Sequence, residues 1–135
     1  MRKAAMAWLV VSVIVLVPAP AQAARRTFAV SDCQHTEIRP DSIMFACADG
    51  GYYVTHLEWS IWHRFRARGR GLFHLNDCRP SCAGGTFHSR GGRITLRRRL
   101  WCPDERVYVF RHAIVVYDRP LLGRERTSFR LFCPL

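Results

Sequence analysis

Apolar and polar positions alternate with a period of two along much of the chain beyond residue 40, the signature of half-buried strands. From Arg93 to Arg99, Ile94 and Leu96 face one way and Thr95, Arg97 and Arg99 the other. From Arg126 to Phe132 the pattern recurs, with Thr127, Phe129 and Leu131 inward and Arg126, Ser128 and Arg130 outward. Val107 to Tyr117 is almost all β-formers on both faces, broken by Arg111 and His112, which predicts a central strand covered on both sides. Tyr52 to Trp59 is rich in aromatic and β-branched residues and predicts another strand. Ile43 to Ala48 is a short apolar run ended by Asp49-Gly50-Gly51, a strong turn signal. Asp118-Arg119-Pro120 and Gly123 mark the turn before the last strand. Helical spacing is confined to Ser60–Ala67, where Ser60 can cap, Ile61 and Phe65 fall four apart, and Gly69 ends the segment. The expected fold is mainly β: a small antiparallel sheet or sandwich stapled by disulfides, with at most one short helix.

The N-terminus changes the picture of where this domain works. Arg2 and Lys3 precede an uncharged run from Ala4 to Val17, Pro18 and Pro20 break it, and Ala21-Gln22-Ala23 supplies the small residues of a cleavage site. Residues 1–23 therefore read as a signal peptide, and residues 24–135 as a single secreted β-rich domain. The competing reading is an uncleaved anchor, since the uncharged stretch to Ala24 is long enough to span a bilayer. Six cysteines, Cys33, Cys47, Cys78, Cys82, Cys102 and Cys133, form an even set, as expected of a disulfide framework in an oxidising compartment. Nearest-neighbour pairing is expected: Cys33–Cys47, Cys78–Cys82 around Arg79-Pro80-Ser81, and Cys102–Cys133.

Beyond residue 23 there are 19 arginines against 10 acidic residues, a net charge of +9, and no lysine. Such a surface attracts polyanions. Outside the cell the expected partner is an anionic cell-envelope polymer or a membrane surface, not a specific nucleic acid, with the chain acting as a monomer. The densest candidate is residues 59–74, WSIWHRFRARGRGLFH. In an extended conformation Arg64, Arg66, Arg68 and Arg70 share one face and can track a charged polymer, while Trp59 or Trp62 can stack on a sugar or base. In a helix the four spread over two faces. Tryptophans more often cover a core edge. A second basic stripe arises if the 93–99 and 126–132 strands pair or neighbour each other, although outward arginines are often only the solvated side of a sheet.

Other chemistry finds less support. His74-x3-Cys78-x3-Cys82-x5-His88 has zinc-type ligands, yet in an order unlike the common fingers and in a chain whose thiols are expected to be oxidised. There is no G-x-S-x-G, no H-E-x-x-H and no Gly-rich phosphate loop, so neither a cofactor nor a catalytic residue is assigned. His56, Glu58 and Asp49 are the residues from which a small hydrolase acting on cell-wall material would have to be built. The expected function is a non-catalytic binding or structural module at the cell envelope, secreted and extracellular or envelope-associated.

Trp59-Ser60-Ile61-Trp62, then Ala67-x-Gly69-x-Gly71, then Asn76-Asp77-Cys78-Arg79-Pro80-Ser81-Cys82-Ala83-x-Gly85 form a recognisable string. In these residues the chain resembles a group of small, uncharacterised secreted proteins of high-GC Gram-positive bacteria. The resemblance covers Cys47 to Ser89, about a third of the chain, and its most specific part is N-x-C-x-P-x-C-A-x-G. It implies secretion and a shared fold, with Trp59, Trp62, Gly69 and Gly71 as scaffold, and no reaction. The four arginines and Cys133 lie outside the shared pattern.

Overall fold

The computed structural model describes residues 26–135; the expected signal peptide at 1–23 lies outside them. Eight strands follow in order: β1 (Thr27–Val30), β2 (Thr36–Glu37), β3 (Ile43–Met44), β4 (Tyr52–His63), β5 (Arg66–Asn76), β6 (Phe87–Cys102), β7 (Val107–Leu121) and β8 (Arg124–Arg130). They make one sheet in the order β2-β1-β7-β6-β5-β4-β3, with β8 also on β7. All pairs are antiparallel except β1 with β7, which is parallel through Thr27↔Tyr108 and Phe28↔Val109. β8 takes the rest of that β7 edge, from His112↔Arg130 onward. The path curls until its ends meet, where the Met44 amide donates to the Ser31 carbonyl at 2.7 Å. No helix lies among the described residues, and so none long and apolar enough to cross a membrane. The expected mainly β, disulfide-stapled fold is what forms, and all three nearest-neighbour disulfides are present.

The inward positions fill the curl. Val54, Ala67, Phe73, Ile94, Leu96, Phe110, Ala113 and Val115 are fully buried in one cluster. Across it, β4 meets β7 and β8 directly. The Tyr52 and Tyr117 hydroxyls are 2.7 Å apart, and Tyr117 Oη lies 3.1 Å from Thr127 Oγ1. Burial, together with that hydrogen bond, pushes the Tyr52 phenol far above its ordinary range. Phe45, Tyr52 and Phe129 stack on one another at centroid separations of 4.8–5.1 Å.

The expected helix at Ser60–Ala67 is absent. Ser60 to His63 end β4, Arg64-Phe65 is a two-residue turn, and β5 begins at Arg66. The i, i+3 spacing of Trp59 and Trp62 belongs instead to a strand carrying irregularities. Register shifts fall between Thr55 and Glu58 and between Trp59 and Ile61. Each inserts one residue into β4 and resets which face the next side chain takes. The second is why Trp59 and Trp62, three apart, both turn inward, where they pack edge to face at 4.7 Å. Gly69 and Gly71 end no helix and shape no return. They sit opposite these bulges: a Cβ on Gly69 would lie 2.8 Å from the Glu58 carbonyl oxygen and 3.0 Å from the Trp59 ring, and one on Gly71 2.8 Å from Val54 Cγ2.

Three further expectations are corrected. β3 covers only Ile43–Met44 of the run to Ala48, because the Asp49-Gly50 turn follows at once: Asp49 accepts from the Gly51 amide, and Gly50 has φ +65°. β7 does not stop at Asp118-Arg119-Pro120 but continues to Leu121, its pairing with β8 interrupted between Val116 and Leu121. Pro120 has no N–H for the ladder and falls in that interruption. The turn itself is Leu122-Gly123, both at positive φ as a tight hairpin demands. Lastly, β7 is central but covered on one face only, since outward Val116 is exposed and Ile114 half-exposed.

The string from Asn76 to Gly85 folds as a loop held by its own polar side chains. Asn76 accepts from the Cys78 amide and donates to the Cys82 carbonyl. Asp77 accepts from the Arg79 and Thr86 amides and lies 3.1 Å from His88 Nε2. Those bonds, the Thr86 amide foremost, hold its carboxyl down at about 2. A Cβ on Gly85 would fall 2.0 Å from Asn76 Oδ1, so the last residue of the string must be glycine for the first to bond as it does.

Two substitutions test this packing. Tyr117→Phe leaves the buried Tyr52 hydroxyl and Thr127 without a shared partner and should cost about 1–3 kcal/mol in denaturant unfolding. Gly69→Ala forces Trp59 off the strand and should cost about 1–3 kcal/mol, with a shift in tryptophan emission reporting the displaced ring.

Candidate anion-binding face

Because β5, β6, β7 and β8 are long and their pairing is regular, outward residues line up across strands. One row reads His63↔Arg66↔Arg97↔His112↔Arg130. Two residues along each strand, Ile61↔Arg68↔Thr95↔Ile114↔Ser128 follows. Two further along β5 to β8, and three along β4 across its second bulge, comes Glu58↔Arg70↔Arg93↔Val116↔Arg126. Seven arginines, Arg66, Arg68, Arg70, Arg93, Arg97, Arg126 and Arg130, therefore share one exposed sheet face. Rows of neighbouring outward residues are spaced by about 7 Å and strands by about 5 Å.

Charge on this face is poorly compensated from within. Arg70 is held by Asp118 at 2.7 Å. Among the described residues the other six arginines of the face form no ion pair. Arg66 faces Arg97, and Arg70 faces Arg93, directly across the β5–β6 ladder. Like charges in that position oppose pairing. The two basic candidates in the sequence, the array in β5 and the stripe from the later strands, turn out to be one surface, with β7 lying between β6 and β8.

The array expected at 64–70 divides. Arg66, Arg68 and Arg70 point outward from β5 as an extended chain requires. Arg64 sits in the turn with its guanidinium 4.4 Å from the Phe65 ring centroid. It lines an open depression of about 610 Å³ together with Trp62, Arg26, Arg39 and His63. Neither Trp59 nor Trp62 is brought to Arg66, Arg68 or Arg70, although Trp62 shares that depression with Arg64. Both lie on the inner face, with the Trp59 indole N–H given to the Pro40 carbonyl at 2.8 Å and that of Trp62 to the Thr27 carbonyl at 3.1 Å. Arg99, placed outward with Arg97 by simple alternation, turns away after Arg98, whose φ is +61°, and lies 3.7 Å above the Tyr108 ring.

Sequence reasoning missed His112. Its Nδ1 accepts from Arg97 Nε at 3.2 Å, so in the neutral ring the proton sits on Nε2. Desolvation first, then the charges of Arg97, Arg98 and Arg130, push its protonation below the ordinary histidine value of 6.5. The only signal was its place in the β7 alternation, and that carries meaning only once the register with Arg97 and Arg130 is known.

The zinc and hydrolase constellations do not assemble. Cys78 and Cys82 are bonded to each other, so neither is a thiolate for a metal, although Asp49 approaches both sulfurs. His74 is bonded to Thr55 and Ser89. His56 and Glu58 line an open depression with Asp41 and Ser42 around the first β4 bulge, while Asp49 is at the far end of that strand beside Cys78–Cys82.

A folded-state depression of the His112 proton affinity has a definite sign. Below about pH 6.5 the unfolded chain binds the proton more readily, so this residue's contribution to stability falls as the pH drops through that value. The His112 imidazole should titrate below 6.5 by NMR, and Arg97→Gln with Arg130→Gln should raise its midpoint. No family model matches the sequence, and no curated protein or solved structure does either, which leaves the geometry of the face as the guide to what it binds.

Proposed function

We propose that this chain is a secreted, non-catalytic binding module that holds an anionic polymer or membrane surface of the cell envelope against the outer face of β5–β8. The observation that carries the reading is the set of like-charge cross-strand pairs, Arg66↔Arg97 and Arg70↔Arg93, on a face whose acids do not balance it. A sheet built for stability alone would place opposite charges or neutral residues there. Guanidinium groups are weakly hydrated, present a planar fork of donors, and suit phosphate and carboxylate partners. Three disulfides fit an oxidising compartment. The signal-like residues 1–23 and the resemblance to small secreted proteins support export. The arginines are spread over three rows of a broad sheet face, which favours an extended polymer or a charged surface over sequence-specific nucleic acid.

Binding to a soluble poly(glycerol phosphate) or to vesicles rich in anionic lipid should weaken steeply with salt. Replacing Arg66, Arg68, Arg93 and Arg97 together by Gln should weaken it by roughly tenfold or more at low salt and flatten the salt dependence, whereas Arg64→Gln should stay within about twofold. Binding that ignores salt, or that depends on Arg64 and not on the four, would remove this reading.

A further inference from the structure

We propose that the end of β8 holds a discrete subsite for a single phosphate group, formed by Arg97, Arg98, Arg111, His112, Ser128 and Arg130. The inference rests on the outer face being the anion-binding surface, and it names the chemical group that one part of that surface takes. A depression of about 220 Å³ is lined there by Arg98, Arg111, His112, Ser128 and Arg130, alongside Phe129. Arg97 reaches His112 from β6. The donors come from three strands: Arg97 and Arg98 from β6, Arg111 and His112 from β7, Ser128 and Arg130 from β8. No carboxylate lines the depression, and the charges acting on His112 are Arg97, Arg98 and Arg130. The nearest outward residues in the next row are uncharged Thr95, Ile114 and Ser128. Arg98 is held at φ +61°, a conformation that L-residues adopt at some cost.

The donors are set on three different strands. A carboxylate offers two oxygens in one plane, whereas a tetrahedral oxyanion offers acceptors in several directions and so suits a set drawn from three strands. The arrangement also couples binding to a proton. Neutral His112 accepts a hydrogen bond from the Nε–H of Arg97. An anion lowers the positive potential that disfavours the imidazolium, so His112 accepts a proton from solvent. Its Nδ1 then becomes a donor, the bond from Arg97 breaks, and both Arg97 and the imidazolium are free to donate to the anion. Occupation and protonation favour each other, and affinity rises as pH falls.

Sulfate tests this cleanly, because it is tetrahedral and keeps its charge across the range in which histidine titrates. The His112 ring protons are followed by NMR with sulfate, and with chloride at matched ionic strength. The expected result is a higher titration midpoint in sulfate, binding several-fold tighter at about pH 5.5 than at about pH 7.5, and loss of that pH dependence in His112→Gln. Arg130→Gln should weaken sulfate by about tenfold. Equal responses to chloride and sulfate would overturn the subsite. If polymer binding remains salt-dependent and sensitive to Arg66 and Arg68 in that case, the subsite alone has failed. If polymer binding is also absent, the face reading has failed with it. With wild-type protein, soluble poly(glycerol phosphate) and phosphatidylglycerol vesicles then separate the two sources of phosphate. A rise in the His112 midpoint with either supports the subsite; silence with both counts against it.

Discussion

A sheet without a covering helix or a second layer must bury its apolar face against itself, and every other feature of this structure follows from that. Inward residues of β4, β5, β6, β7 and β8 can leave water only if the sheet curls far enough for its two ends to touch. Across the inside of the curl runs a contact that is polar at its centre: Tyr52 reaches Tyr117, which in turn reaches Thr127, while Phe45, Tyr52 and Phe129 stack around it. Buried hydroxyls are costly unless paired. The curl therefore has one preferred closure, where hydroxyls from β4, β7 and β8 satisfy one another. Bulges in β4 and the glycines opposite them supply the bending that a regular strand resists.

Curling has a second effect, on the outside. The inner face takes the apolar side chains of the core, and what alternates with them along β5 to β8 points to solvent. Four adjacent long strands then present their outward residues in straight rows. The same register that places Ala67, Ile94, Leu96, Ala113 and Val115 in the core places Arg66, Arg68, Arg93 and Arg97 together outside. The basic face is thus a geometric counterpart of the core and needs no loop to build it.

Strand periodicity in the sequence was a good guide wherever it was regular. The inward and outward positions of the 94–97 and 126–131 stretches and the three disulfide pairs were all legible. It misled where the chain departs from a period of two. Trp59 and Trp62 have helical spacing, and only the bulge at Ser60 reconciles it with a strand. Gly69 resembles a helix stop, whereas it is glycine because the Trp59 ring crosses above it. Part of the candidate site was legible, as a β5 array and a separate later stripe. Their union was not, because it depends on which strands are neighbours, and long-range pairing leaves no local trace. The arginine string also overstated Arg64, whose position in a turn is indistinguishable from a strand position by alternation alone.

The Cys102–Cys133 bond has a consequence for this surface. It closes a covalent ring through β7 and β8, across a sequence separation of 31 residues. β8 is an edge strand with one strand partner, and it carries Arg126 and Arg130. The ring fastens the far end of that strand to the end of β6, so the outermost cations of the face are kept in place by a covalent link as well as by the ladder. Reduction would release the edge first and leave the arginines of β5 and β6 where they are. The breadth of the charged surface, as distinct from its existence, is in this sense set by the redox state of its surroundings.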